Sequence, residues 1–172
     1  MNLLDYIPSV PDFPKPGILF KDISPLLANP QAFANAVHGL QRLSEFQDFD
    51  YILGIESRGF IFGTSLAQAC NRGLILARKP KKLPNDVFSE AYGLEYGTDA
   101  LEIQQRILPE NSKVLLVDDV LATGGTLIAA ANLVKRSKAI PVGAVVLLEI
   151  IDLGGKEKLA SVNLPCKSLI EI

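Results

Sequence analysis

The sequence predicts an α/β fold, with a mainly parallel sheet flanked by helices on both faces. Two observations lead there. Short apolar runs at residues 51–55, 74–77, 114–117 and 142–150 have the length and character of buried strands. Segments with helical spacing lie between them: Phe62, Leu66 and Ala69 mark one face of 60–70, and a second helix is expected over 127–136. The chain's 172 residues, 48% hydrophobic and 21% charged, suit one globular domain over 1–172, and no repeat or interdomain linker interrupts them.

The first 29 residues carry Pro8, Pro11, Pro14, Pro16 and Pro25, none of which has a donor N–H. No long regular element is expected in this segment, which reads as a lid or rim. Asn29-Pro30 is a helix start, with asparagine as N-cap and proline in the first turn. Phe33, Val37, Leu40 and Leu43 follow on one face, and His38 points away from them toward solvent. Residues 78–97 are charged and punctuated by glycine and proline, so they read as a loop. Leu101 and Ile103 alternate with polar neighbours, as in a strand with one wet face, and 168–172 is the last expected strand.

Composition excludes several functions. Seventeen basic against 19 acidic side chains leave a net charge of −2, so no bulk basic surface for nucleic acid is indicated. No apolar run is long enough to span a membrane, and the start, Met1-Asn2-Leu3-Leu4-Asp5, lacks the pattern of a signal peptide. Two cysteines, Cys70 and Cys166, make no disulfide framework; they read as packing residues of a cytoplasmic protein. With one histidine, neither a Ser-His-Asp triad nor a multi-histidine metal site is expected.

The most informative stretch is Val114-Leu115-Leu116-Val117-Asp118-Asp119-Val120-Leu121-Ala122-Thr123-Gly124-Gly125-Thr126. An apolar strand runs into two acids, then a small-residue loop, then a helix. In open α/β sheets ligands bind beyond the carboxyl ends of strands. Ala122, Thr123, Gly124, Gly125 and Thr126 offer successive backbone N–H groups, and the helix adds its positive dipole end, which suits a phosphate monoester. Asp118 and Asp119 suit the hydroxyls of a sugar, directly or through Mg2+. The loop is neither a Walker motif nor Gly-x-Gly-x-x-Gly. Arg58 follows a strand and precedes a helix, where guanidinium and helix N-terminus could converge on one anion or where arginine could simply cap the turn. Residues 78–82 hold four cations in five positions, a solvated charge run or a receiver for a polyanion.

The strand, acids and Thr-Gly-Gly-Thr loop resemble the phosphoribosyl pyrophosphate site of the type I phosphoribosyltransferases. Four further segments resemble the adenine phosphoribosyltransferase family. They are residues 11–25, Pro-Asp-Phe-Pro-Lys-Pro-Gly-Ile-Leu-Phe-Lys-Asp-Ile-Ser-Pro; residues 54–60, Gly-Ile-Glu-Ser-Arg-Gly-Phe; residues 78–84, Arg-Lys-Pro-Lys-Lys-Leu-Pro; and Leu94-Glu95-Tyr96-Gly97. The resemblance implies a hood over about 1–29 and a mobile catalytic loop over about 79–97. Asp118 and Asp119 would hold the ribose hydroxyls and residues 122–126 the 5′-phosphate. Glu56, Ser57, Arg58, Arg78, Lys79 and Lys82 would meet the pyrophosphate, and a cis peptide is implied between Glu56 and Ser57. Glu95, by composition alone a solvated loop glutamate, becomes the acid/base, with Tyr96 packing over the reacting centre. Phe20 would stack on adenine, with Leu19 and Lys21 reading the base edge through backbone groups.

The implied reaction is adenine plus phosphoribosyl pyrophosphate giving AMP and pyrophosphate, with Mg2+ held mainly by substrate and in part by Asp118 or Asp119. A homodimer is implied, part of the basic cluster reaching the neighbouring subunit's site. Two alternatives stand beside it: a same-fold transferase for another purine or orotate, and a non-catalytic phosphoribosyl pyrophosphate sensor. Sensors of that kind usually carry an appended DNA-binding domain, and no segment of that size precedes the hood.

Overall fold

The structure is a computed structural model that describes residues 1–93 and 99–172. The chain forms two compact units, Met1–Gly39 and Leu40–Ile172.

The first unit is built from short pieces, as its prolines require. A 3-10 turn, Leu3–Tyr6, is capped by the Asn2 side chain. Strands β1 (Ser9–Pro11) and β2 (Leu19–Lys21) pair antiparallel, with Val10 opposite Phe20. Between them the Phe13–Pro14 peptide is cis, and the Gly17 N–H donates to Asp12 Oδ1 over 2.7 Å. Helix α1 (Ser24–Ala28) carries Pro25 in its first turn, where its preset φ fits and no bond is lost. Helix α2 (Pro30–Ser44) begins as expected: Asn29 Oδ1 accepts from the N–H groups of Gln31 and Ala32. His38 is exposed.

In the second unit five parallel strands form the sheet: β3 (Tyr51–Ile55), β4 (Gly73–Ala77), β7 (Lys113–Leu121), β8 (Ile140–Glu149) and β9 (Cys166–Glu171), in the order β4-β3-β7-β8-β9. Helix α3 (Gly59–Cys70) connects β3 to β4, closing on Asn71 in the left-handed region at φ 53°. Helix α4 (Gly125–Arg136) connects β7 to β8, and α5 (Gly155–Ser161) connects β8 to β9. The crossovers leave β3 and β7 in opposite directions along the sheet, so the order reverses between these two strands. That reversal opens the crevice in which α/β folds bind ligands.

Alternation along the strands separates two packed layers. Leu53, Ile55, Val114, Leu116, Ala144 and Val146 pack with Leu127, Ala130 and Val134 of α4. Ile52, Leu115, Val145 and Leu147, at the alternate positions, are fully buried too. The sheet is therefore covered on both sides, as near-continuous apolar strands require.

Two expectations are corrected. The segment 78–97 is not loop throughout: Val87–Tyr92 is a strand, β5, paired antiparallel with β6 (Asp99–Gln104). Its pattern, Val-Phe-Ser-Glu-Ala-Tyr, alternates too weakly to outweigh the flanking glycines and prolines, and it is held both by pairing with β6 and by α4, whose Asn132 and Arg136 reach Glu90. The strand through 114–117 also continues to Leu121, so both aspartates lie inside it. The long apolar β8 supplies ladder partners as far as Leu121 opposite Glu149.

Candidate active site

The site begins where one ladder stops and another continues. β3 pairs with β7 only as far as Gly54 opposite Val117, whereas β7 runs beside β8 for four more residues. Asp118 and Asp119 therefore stand beyond the β3–β7 ladder, where Gly59 and Arg58 face them. They are 9% and 6% exposed. Asp118 Oδ1 accepts the Asp119 N–H at 2.8 Å, which fixes the first carboxylate. Gly59, the first residue of α3, has to be glycine for the same reason: a Cβ there would lie 2.8 Å from Asp118 Oδ1 and 3.0 Å from the Val117 carbonyl.

Arg58, just before α3, lies half-buried with Nε 2.7 Å from Asp119 Oδ2. The approach is an ion pair, and this buried oxygen has no aligned hydrogen-bond donor. Burial and the neighbouring Asp119 charge push Asp118 well above the usual aspartate range, against the weaker pull of Arg58. The pair thus shares charge tightly and suits an incoming hydroxyl or cation.

Beyond β7 the loop turns on Gly124, with φ 84°, and opens α4 with no side-chain cap. Its first-turn N–H groups are left for a ligand, the arrangement that receives phosphate. Thr123 is exposed, and Ala122, Gly125 and Thr126 are half-buried. The expected phosphate loop and the two aspartates are thus contiguous with Arg58.

On the other side of β3, the Glu56 N–H donates to the Ala77 carbonyl and holds the ends of β3 and β4 together. The Glu56–Ser57 peptide is cis, as the resemblance implies. Arg78 grips the Glu56 carboxylate with two hydrogen bonds of 3.2 Å, and the Lys79 N–H adds one of 2.7 Å. Burial alone would raise the Glu56 pKa, but Arg78 and Lys79 outweigh it and hold the carboxyl below its usual value. The Lys79 ammonium donates to Tyr92 Oη at 2.7 Å and pairs with Asp99. Partial burial works against the Lys79 charge, yet Asp99 and Tyr92 raise its pKa, while Lys79 in turn lowers that of Asp99. Lys82 is exposed near the Glu56–Arg78 pair, and its carbonyl accepts from Arg78.

Sequence reading did not single out Tyr92 and Asp99 as partners of Lys79. They are 13 and 20 residues away, and only the β5–β6 pairing brings them to it. Phe20, in the first unit, packs edge-on against Phe13 with ring centres 5.0 Å apart. Leu19 is 54% exposed, and the Lys21 ammonium donates to Ser9 Oγ at 2.7 Å. Glu95 and Tyr96 lie outside the described residues. Cys70 and Cys166 stand apart from the site as free thiols; burial and the charge of Glu149 push Cys166 up to about 12, out of nucleophilic range.

Residues 22–169 match the family described as "Phosphoribosyl transferase domain". The chain is 59% identical over 170 residues to an adenine phosphoribosyltransferase of Polynucleobacter asymbioticus, with 99% of each chain covered. Among solved structures, the adenine phosphoribosyltransferase of Thermoanaerobacter pseudethanolicus superimposes with a TM-score of 0.94 at 42% identity, covering 99% of this chain and 100% of the other. The Giardia lamblia enzyme, complexed with 9-deazaadenine, gives 0.92 at 37%, covering 100% of this chain and 98% of the other. With this architecture and with the acid pair, uncapped loop and Arg58 grouped at the reversal point, the chain belongs to the phosphoribosyltransferase family, in its adenine phosphoribosyltransferase branch.

Proposed function

We propose that the chain transfers the phosphoribosyl group of phosphoribosyl pyrophosphate to adenine, giving AMP and pyrophosphate in purine salvage. The single observation that carries this is the buried pair Asp118 and Asp119 leading directly into the uncapped loop 122–126 beside Arg58. A diol binder next to a phosphate binder fits a ribose 5-phosphate, and the strand-end cations fit the pyrophosphate on its other end. Adenine N9 attacks C1′ on the face opposite the leaving group, the C1′–O bond breaks, and its electron pair departs with pyrophosphate. Arg58, Arg78, Lys79 and Lys82 stabilise that anion. Glu95 manages a proton on the purine near N7, and Tyr96 helps exclude water. Phe20 stacks on the base while backbone groups of Leu19 and Lys21 read its edge.

The acid pair fits a role beside Mg2+, which favours one or two protein carboxylates and takes its remaining ligands from phosphate and water. Among the described residues no group of three or more His, Cys, Asp or Glu forms a cage, so substrate oxygens would complete the shell. When bound, the ion would neutralise part of the diphosphate charge. The enzyme acts in the cytoplasm as a homodimer and a single transferase domain. Its two free thiols suit a reducing compartment, and no helix of the described residues is long and apolar enough to cross a membrane.

The deciding assay incubates the protein with phosphoribosyl pyrophosphate, Mg2+ and each purine separately: AMP should form from adenine, and product only from another base would overturn the reading. Glu95→Gln should lower kcat by about 100-fold or more with little change in donor affinity. Near-normal turnover would remove the acid/base role.

A further inference from the structure

The phosphate loop is shaped from outside. Gly155, the first residue of α5, is buried. A Cβ on it would lie 2.3 Å from the Ala122 carbonyl oxygen and 2.7 Å from Leu121 Cδ1. From the other side, a Cβ on Gly124 would lie 3.1 Å from the Gly155 carbonyl oxygen. Backbone thus meets backbone, glycine opposite glycine, at the base of residues 122–126. The helix behind this contact is anchored. Lys156 Nζ lies 3.4 Å from Glu149 Oε2 and 2.9 Å from Glu171 Oε1. Glu149 is 4% exposed and accepts from Ser168, and Leu159 is fully buried. Thr123, Gly125 and Thr126 also share a cavity of about 490 Å³ with Leu153, Gly154 and Lys158, so loop and α5 segment form one wall.

We infer that Gly155 is a positioning residue for the 5′-phosphate: its missing side chain lets α5 seat against Ala122 and Gly124, and that contact aims the N–H groups of the loop. The inference rests on the assignment of residues 122–126 to the phosphate. An alanine at 155 forces apart two surfaces of which α5 is the pinned one. The loop therefore yields, and a displacement of about 1 Å is enough to spoil the alignment of its donors.

The test compares Gly155→Ala with Gly143→Ala. A Cβ at Gly143 meets Phe46 Cζ at 2.7 Å and the Pro165 carbonyl at 3.0 Å, near the start of β8. It is the steric control. Ribose 5-phosphate affinity is measured by calorimetry, alongside Tm and the KM values for donor and adenine. Both variants should lose thermal stability. Only Gly155→Ala should weaken ribose 5-phosphate, by about tenfold or more, with donor KM rising in step and adenine KM within about twofold. Unchanged ribose 5-phosphate affinity in Gly155→Ala, or an equal loss in Gly143→Ala, would overturn the inference. If Gly155→Ala does not fold, Lys156→Met, which unpins α5, should weaken ribose 5-phosphate about threefold, and Lys156→Arg should restore it; no change in Lys156→Met likewise overturns the inference. A wild-type protein that binds neither ribose 5-phosphate nor the donor would instead overturn the functional reading.

Discussion

Residues 118–126 and the basic segment 78–82 adjoin β3 from opposite sides, yet they are held by different physics. The first group is fixed by backbone and burial: a strand ladder continued by β8, a carboxylate bound to its neighbour's N–H, and glycines at 59, 124 and 155 that permit contacts no side chain would allow. The second is held by side-chain charge. Arg78 lies on Glu56 and Lys79 on Asp99, with the partners between 14% and 52% exposed. A preorganised half would bind the ribose phosphate with little rearrangement. The cationic half already has internal anions, which the proposed pyrophosphate would have to displace. The comparison predicts large, position-sensitive losses on the first side and small changes, some of them gains, on the second.

The largest effect is expected where the backbone-set carboxylates are proposed to hold the ribose. Asp118→Asn combined with Asp119→Asn should weaken the donor by about 100-fold or more, since two hydrogen bonds to charged groups are each worth about 1.5–3 kcal/mol. Calorimetry showing unchanged donor affinity would refute the ribose assignment and with it the division into two halves.

The difference between the halves also explains what could be read in advance. The strand–acid–acid–glycine run was legible because its chemistry is contiguous in sequence, and the fold class was legible because buried parallel strands are nearly unbroken apolar runs. The ends were less so: nothing in Val114-Leu115-Leu116-Val117 says that the ladder continues through two acids, since β8 supplies that continuation from 28 residues away. The Lys79–Tyr92–Asp99 contact depends on a hairpin whose first strand has a weak pattern. Gly154-Gly155 carries only an ordinary turn signal in sequence, and its use as a seat for Ala122 exists only once α5 packs.

A middle-sized effect concerns the stability cost of keeping two acids buried together. Folding raises the Asp118 pKa above the ordinary aspartate value, through burial first and the Asp119 charge second. Between that value and the raised one, the folded chain binds a proton that the unfolded chain has released. Stability is therefore lost as pH rises through this interval. Asp118→Asn removes the titration while its amide oxygen can still accept the Asp119 N–H. Its Tm should exceed wild type by a few degrees near neutral pH, and the advantage should shrink toward pH 4. A Tm difference independent of pH would show that Asp118 is not strained by its surroundings.

The smallest effect should appear on the cationic side, with the opposite sign. Asp99 is half-exposed and competes with any anion for the Lys79 ammonium. Asp99→Asn keeps a polar group beside Tyr92 but removes the charge. Exposed pairs are worth about 0.2–1 kcal/mol, so KM for phosphoribosyl pyrophosphate should fall by about two- to threefold. The gain should diminish as salt rises, because the charge being exposed is screened. Adenine KM should stay unchanged, since the pair lies among the groups proposed to receive pyrophosphate. A donor KM that rises in Asp99→Asn would mean that Asp99 orients Lys79 toward the substrate rather than competing for it. The cationic half would then be preorganised as well, through its ion pairs, and the two sides of β3 would differ in material but not in principle.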